Sequence, residues 1–425
     1  MTQTMQIAHS EIVTDIQHSR EVRRTSCCIV GGGPGGVILA LLLARRGVDV
    51  TLLEAHQDFD RDFRGDTVHP SVLEILDQIG LAEPLHHLRH SRIYGPTIQT
   101  SEGPFQPFDF RRLRTRFPYI MVIPQTKFLE FLIGEAVKYP NFHLLMGANV
   151  QHLIEENGVI CGVQYLSKDG SLHDVHAELT VGADGRFSRV RQLAGLQMIK
   201  TSPPIDVLWF RLPKIPGDLE GSTGLLGRIG RGYVLAIIER DDYWQIGFVF
   251  RKGHYKELRE AGIEAFRRTV ASLEPRFEKH LEQITDWHQL SLLSVESSRC
   301  TRWYRPGLLL IGDAAHVMSP VGGVGINYAI QDAVAAANII ANPLRAGSLT
   351  TRHLAELQRQ REFPTRVIQR IQYFMQERFL VKALGSNDPI RIPKIVRMLL
   401  RIPAVSRIPA RLLGFGINRP HVQED

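Results

Sequence analysis

Gly31, Gly33 and Gly36 stand between a hydrophobic run, Cys27 to Val30, and an apolar stretch, Val37 to Ala44, and the next hydrophobic run ends on Glu54. Those types at that spacing can hold a dinucleotide pyrophosphate. Gly31 permits a tight turn, Gly33 lets the backbone approach the phosphates, and Gly36 lets a helix pack closely on its strand. The phosphates would meet the free N–H groups and positive dipole end of a helix beginning near Pro34 and Gly35. Glu54 is placed to accept hydrogen bonds from a ribose diol. The chemistry therefore needs a strand, a turn, a helix and a second strand in that order, and the sequence supplies them.

NAD and FAD share such a cradle, and two later segments distinguish them. In the first, Val181 to Arg191, a strand-like Ala177 to Val181 runs into Asp184 and Gly185, a turn that opens a helix carrying Arg186, Arg189 and Arg191. In the second, Leu308 to Asn327, an apolar strand ends at Gly312 and Asp313. An aspartate there suits a polyol such as the ribityl chain of FAD. Gly322, Gly323 and Gly325 then precede an alanine-rich helix, Ile326 to Ile340, whose N-terminus can stabilise negative charge on a reduced isoalloxazine ring.

With these motifs in this order, Ser26 to Ile340 resembles the para-hydroxybenzoate hydroxylase-like family of FAD-dependent monooxygenases. The resemblance implies that Gly31 to Gly36 cradles the pyrophosphate and that Glu54 takes the adenosine ribose. It assigns Asp184 and Gly185 to FAD and NAD(P)H binding, Gly312 and Asp313 to the ribityl chain, and Pro320 to Asn327, including Val324 and Ile326, to the flavin ring. Arg64 and Gln125 resemble further cofactor contacts. Many members carry a basic residue where this chain has Val324. The implied reaction is hydroxylation of a small aromatic or polyketide-like molecule by O2 through a flavin C4a-hydroperoxide, with NAD(P)H as co-substrate. That chemistry belongs to the cofactor, so no catalytic side chain is assigned.

The expected architecture is α/β: a Rossmann-like FAD-binding domain with an inserted, mostly antiparallel substrate sheet and a C-terminal helical segment. The FAD domain is expected in three pieces, 25–92, 125–196 and 302–340, with substrate-sheet pieces 93–124 and 197–301, an N-terminal extension 1–24 and a basic segment 341–425. VLWFRLP, GYVLAIIE and YWQIGFVF read as strands. Alternation puts Trp209 and Arg211 on one face and Phe210 on the other; Trp209, Arg211, Tyr233 and Pro320 are the candidate substrate contacts. The glycines from Gly221 to Gly232 read as a loop and hairpin turn.

With 425 residues, 44% apolar and 22% charged, the chain can bury a large core. Residues 1–24 lack the apolar run of a signal peptide, and no run is long enough to span a bilayer, so a cytoplasmic protein is expected. Cys27, Cys28, Cys161 and Cys300 form neither a disulfide framework nor a metal-ligand pattern, and His86, His87 and His90 lack a partner at ligand spacing. His316 could brace the flavin motif or move protons. No Walker A, HExxH or G-x-S-x-G motif is present. A halogenase would carry Trp-x-Trp-x-Ile-Pro, whereas this chain has Tyr243-Trp244-Gln245-Ile246-Gly247. The same FAD motifs would also serve a reductase or dehydrogenase of that superfamily, or a flavin-containing ligand-binding protein with little turnover.

Between Asp388 and Glu424 there is no acid, while Arg391, Lys394, Arg397, Arg401, Arg407, Arg411 and Arg419 are basic. With Pro393, Pro403 and Pro409 breaking it up, this tail reads as a cap of short helices or turns packed on the FAD domain; weak membrane-surface contact is the rival reading. Nucleic acid is not expected, because the charge is confined to the tail.

Overall fold

The computed structural model describes residues 21–59, 66–216, 218, 224–385 and 392–423. At its centre β1 (Val22–Val30) pairs in parallel with β2 (Val50–Glu54) on one side and with the strand Leu172–Gly182 on the other, which in turn pairs in parallel with Leu308–Leu310. The register brings Leu53, Val30, Gly182 and Leu310 into one row at the C-terminal edge. The residues that follow each strand, which carry the three motifs, therefore share that edge, where open parallel sheets place ligands. Connecting β1 to β2, α1 (Pro34–Arg45) is apolar all round because it is buried all round, between the helices Gly325–Arg345 and Gln125–Ala136. Cys27 packs into this core and Cys28 into the core on the sheet's other face. Burial pushes the Cys28 thiol up to about 12, which keeps it unreactive.

A second, seven-stranded sheet runs in the order Ser291–Ser294, Ile205–Pro213, Tyr243–Arg251, Tyr233–Glu239, Gly224–Gly230, Gly95–Thr100, Gly103–Phe105. Its central strands are antiparallel. One face, with Leu208, Phe210, Leu235 and Phe248, packs on Phe266 and Val270 of the helix Ile263–Leu273. Its other face is the candidate substrate surface.

The expected boundaries shift where pairing partners were out of sight in the sequence. β1 starts at Val22, inside the expected N-terminal extension. Ile120–Val122 pairs with Thr67–Val68 on one side and Ser91–Ile93 on the other in a small separate sheet, so only the hairpin from Gly95 to Phe105 joins the substrate sheet. Likewise Ser297–Cys300 pairs with Met198–Thr201 on one side and with His316–Val317, beside the Gly312-Asp313 motif, on the other. Gly224–Gly230 is a strand rather than a loop, because Tyr233–Glu239 and Gly95–Thr100 flank it; Arg231 and Gly232, at φ 51° and 80°, make the hairpin turn. Gly221 lies outside the described residues.

In the tail, the helix Lys394–Arg401 follows Pro393 and the helix Pro403–Phe415 begins at Pro403. Pro409 lies inside that second helix and does not break it. Ala410, with Leu413, packs on Phe110 and Ile120; Leu412 and Leu413 pack on Val324 and Tyr328. Beyond the helix, Arg419 pairs with Glu74, and the amide N–H of Val422 donates to Gln78 at 2.8 Å. The second helix and the chain after it are a cap on the FAD domain. Lys394–Arg401 instead lies against the Gly95–Phe105 hairpin, where Arg397 reaches Thr100 and Glu102.

Candidate cofactor and substrate site

The cradle at the sheet edge is built by backbone. Gly31 takes φ 109°, which a side chain would resist, and its N–H donates to Leu53 at 2.7 Å. Gly36 sits against the Gly31 carbonyl and the Ala183 side chain, so the helix start presses on the strand ends. A Cβ at Gly33 would touch nothing within 4 Å, and no side chain caps the α1 N-terminus. The loop thus leaves open space in front of unfilled helix-end donors, the geometry a pyrophosphate needs. Glu54, 2% exposed, accepts from the Gly32 N–H at 2.8 Å and the His56 N–H at 3.0 Å. Its carboxylate therefore sets the loop's shape at the end of β2.

The other two motifs are tied together. Asp184 accepts from Ser188 Oγ at 2.5 Å and from the Val190 N–H at 3.0 Å, and burial pushes its carboxyl up despite these bonds. It shapes the turn into the short helix Arg189–Leu193, whose N-cap is Ser188, so Arg186 lies before the helix and not on it. Arg191, 8% exposed, donates to the Ala314 carbonyl at 2.9 Å and to the Arg186 carbonyl at 2.9 Å, joining the Asp184-Gly185 turn to the Gly312-Asp313 turn. Asp313 is half-buried in the single turn Gly312–Ala314.

The turn at Gly312 rests on a buried charge cluster that sequence reading missed. Asp332, 0% exposed, accepts from the Gly312 N–H at 3.0 Å, from His316 Nε2 at 2.6 Å and from Arg361 Nε at 2.7 Å. Burial pushes the Asp332 carboxyl up, but His316 and Arg361 outweigh it and hold the carboxyl below its ordinary range. Of the two roles open to His316, this geometry gives it bracing. The signal available in the sequence was an acid in the middle of an alanine-rich helix.

Asn327, expected against the flavin, braces the loop instead: its Nδ2 donates to the Gly323 carbonyl at 3.1 Å and its Oδ1 accepts from the His69 N–H at 3.0 Å. Val324 is turned into the core beside Leu412 and Leu413. Pro320, Gly322, Gly323 and Ile326 keep some exposure, and no side chain caps the helix start at Gly325. His69 is fully buried, with Nδ1 at 2.8 Å from the Leu413 carbonyl and Nε2 lacking a partner among the described residues, and burial lowers its pKa to about 4. An unfolded histidine at 6.5 takes up a proton that this site refuses, so the stabilisation is complete above about pH 6.5 and is lost as pH falls toward 4. His69→Asn, which keeps a donor for Leu413, is expected to remove up to about 3 kcal/mol of that pH dependence, measurable as a flatter dependence of urea-unfolding stability on pH. An unchanged slope in the variant would contradict this.

On the substrate sheet Trp209 and Arg211 share a face and Phe210 points away, into the helix-covered core. Trp209, Val249 and Val321, the residue after Pro320, pack against one core cluster with Val207 and Val234, so this face meets the loop that begins at Pro320. Tyr233 does not belong with it: alternation from Val234 turns Tyr233 to the opposite face, its ring centroid 4.7 Å from that of Phe248. The register sets Gly247, Ala236, Gly227 and Ile98 in one row across the sheet from Trp209, and the indole lies over Gly247. Val249 and Val234 flank this row on one side, Gln245 and Ile238 on the other. The indole fills the space over Gly247, and the small residues beyond it, Ala236 and Gly227, leave a shallow trough beside Trp209.

At the end of this face, exposed Arg211 lies 5.1 Å over the Tyr243 ring, and Arg240 donates to Gln245 at 3.0 Å and pairs with Asp66. Asp66 also accepts from the Gln125 N–H at 3.2 Å. Asp66 and Arg240 thereby join the substrate sheet to the helix that starts at Gln125. Arg64 lies outside the described residues. His86 bonds Ala82 and Tyr119, and among the described residues no cluster of three metal-ligating side chains occurs.

Open space at the helix end, an acid at the ribose end and an uncapped helix at the flavin end fit FAD, and with the roofing sheet they define an FAD-dependent flavoprotein oxidoreductase. Residues 24–370 match the family model described as FAD binding domain, and the chain belongs to that family, the para-hydroxybenzoate hydroxylase-like flavin monooxygenases. It is similar to a 6-methylpretetramide 4-monooxygenase of Streptomyces rimosus, with 34% identity over 390 residues covering 91% of each chain. It is also similar to a 12-dehydrotetracycline 5-monooxygenase/anhydrotetracycline 6-monooxygenase of that species, 30% identical over 280 residues, or 63% of this chain and 52% of that one. Among solved structures the fold is shared with a flavin-dependent brominase (TM-score 0.75, 17% identity, 92% of this chain and 93% of that one). It is shared too with the S. rimosus anhydrotetracycline hydroxylase (TM-score 0.71, 24% identity, 92% and 76%).

Proposed function

We propose that this FAD-dependent monooxygenase hydroxylates a planar, fused-ring aromatic or polyketide-type molecule in the cytoplasm, with NAD(P)H and O2 as co-substrates. The observation that supports the reading is the trough beside Trp209: Ala236 and Gly227, next to the indole, accept a flat ring system where larger side chains would exclude it. The similarity to an enzyme whose name gives 6-methylpretetramide as its substrate supports the same class. When bound, FAD supplies the redox chemistry, taking a hydride from nicotinamide and activating O2. The chain's own part is placement. The α1 N-terminus and Glu54 hold the adenosine half, Asp313 takes the ribityl chain, and the helix start at Gly325 favours negative charge on the ring. Trp209 and the flavin loop exclude water from the face between them.

The test is NAD(P)H oxidation by the holoenzyme, with and without a dihydroxyanthraquinone as fused-ring probe, and mass spectrometry for oxygen incorporated from labelled O2. Probe-dependent acceleration with one labelled oxygen in the product is expected. Ala236→Leu should fill the trough and raise KM for this probe about tenfold or more, with FAD content unchanged. No acceleration by the fused-ring probe, or an unaltered KM in the variant, would reject the substrate class.

A further inference from the structure

The helix Lys394–Arg401 is amphipathic in the inverted sense. At helical spacing Lys394, Arg397 and Arg401 lie on one side, and Ile395, Met398, Leu399 and Ile402 on the other. In a surface helix of a folded domain the apolar side normally faces the core. Here Arg397 faces the protein, in an ion pair with Glu102 at 3.3 Å and with its guanidinium 5.4 Å from the centre of the Phe105 ring. Ile395 is 63% exposed, Met398 60%, Leu399 43% and Ile402 46%. Ile408, 66% exposed, continues the apolar surface onto the helix Pro403–Phe415. Lys394, Arg401, Arg407 and Arg411, which accompany these residues, are exposed too. The helix is held to the substrate sheet through Arg397 and covalently to the capping helix, so it is positioned without its apolar side being used.

We propose that this face docks the enzyme on an anionic lipid bilayer, with Ile395, Met398, Leu399 and Ile402 entering the interface and the flanking lysine and arginines meeting the head groups. The charge pattern selects that occupant. The chain carries no acid between Asp388 and Glu424, and Glu102 beside the helix is already paired with Arg397, so the exposed side complements negative charge. A second copy on a two-fold axis would set the same basic residues against themselves, and a nucleic acid would leave the aliphatic side chains in water. A basic rim around an aliphatic centre is the composition of helices that lie in the plane of a bilayer surface. Among the described residues no helix is long and apolar enough to cross a membrane, so the contact is with one leaflet.

The experiment uses full-length holoenzyme and sedimentable vesicles of phosphatidylcholine, alone or with about a third phosphatidylglycerol. The enzyme is expected to pellet with the anionic vesicles at low salt and to be released at about 0.5 M salt. A variant carrying Ile395→Ser, Met398→Ser and Leu399→Ser should lose about tenfold or more of that binding, with FAD content and melting temperature unchanged because the three side chains are exposed. Lys394→Gln with Arg401→Gln should weaken it as well and reduce its salt dependence. Parent enzyme that stays in the supernatant, or a triple-serine variant that binds as the parent does, would overturn the proposal. So would a fall in oligomeric mass of the triple variant by light scattering without any vesicle binding, which would assign the face to a second copy.

Discussion

Gly33→Val is expected to give a folded, colourless protein. Gly33 has an ordinary extended conformation, φ −76° and ψ 176°, and a Cβ there would meet no protein atom within 4 Å. The substitution should change the stability of the cofactor-free chain by less than about 1 kcal/mol, the range of a strain-free change at an uncrowded site. That empty space is where the pyrophosphate must approach the backbone, so valine's branched side chain should lower FAD affinity by about a hundredfold or more. Gly36→Val is the contrast. Its Cβ would stand 2.0 Å from the Gly31 carbonyl oxygen, and neither α1 nor β1 can yield, both being packed in the core. That variant should lose about 3 kcal/mol or more and fail to accumulate as folded protein. Flavin absorbance of the purified protein, followed by FAD titration of its apo form and melting curves, separates the two outcomes. A Gly33→Val protein that keeps its flavin would mean that the pyrophosphate does not lie over this loop.

The contrast also marks what the sequence could convey. The placement of Gly31, Gly33, Gly36, Glu54, Asp184 and Asp313 was legible because each lies in a short run of neighbours in a fixed order around a strand end, and parallel pairing then brings the separate runs to one edge. The face shared by Trp209 and Arg211 was legible as alternation, but which face meets the flavin loop depends on the helix Ile263–Leu273 covering the other side, a contact across distant sequence. Tyr233 was misassigned for that reason. Asp66 and Arg240, and Asp332 and Arg361, went unread because a charged residue looks the same whether its partner is water or a buried ion far along the chain. In the tail, basic and aliphatic residues alternate with prolines in a way that reads as a cap, with membrane contact as the rival. The fold divides it: the helix containing Pro409 is packed, while the helix before it turns its aliphatic side out.

Removing the Asp332 carboxylate is expected to be among the most damaging single changes outside the glycine loop. Asp332, Arg361 and His316 are each 1% exposed or less, so Asp332→Ala would leave a guanidinium stranded out of water and remove the acceptor of the Gly312 N–H. Breaking a buried pair from one side costs about 3–5 kcal/mol, mostly the penalty of the charge left behind. Two consequences distinguish that cause from a simple cavity. Arg361→Met in the Asp332→Asn background should recover part of the loss, since the stranded charge is then gone. The carboxyl is held below its ordinary range in the fold, so its contribution is complete above the carboxylate range and fades as pH falls through the lowered value; the gap between parent and Asp332→Asn should narrow in strong acid. FAD affinity should fall in every Asp332 variant, because Asp332 holds Gly312 and with it Asp313, the residue proposed for the ribityl chain. Urea unfolding of apo protein at neutral and acid pH, with FAD titration of each variant, supplies the readings. If the Met–Asn double variant were no more stable than Asp332→Asn alone, the damage would come from lost packing and the buried-charge account of this cluster would fail.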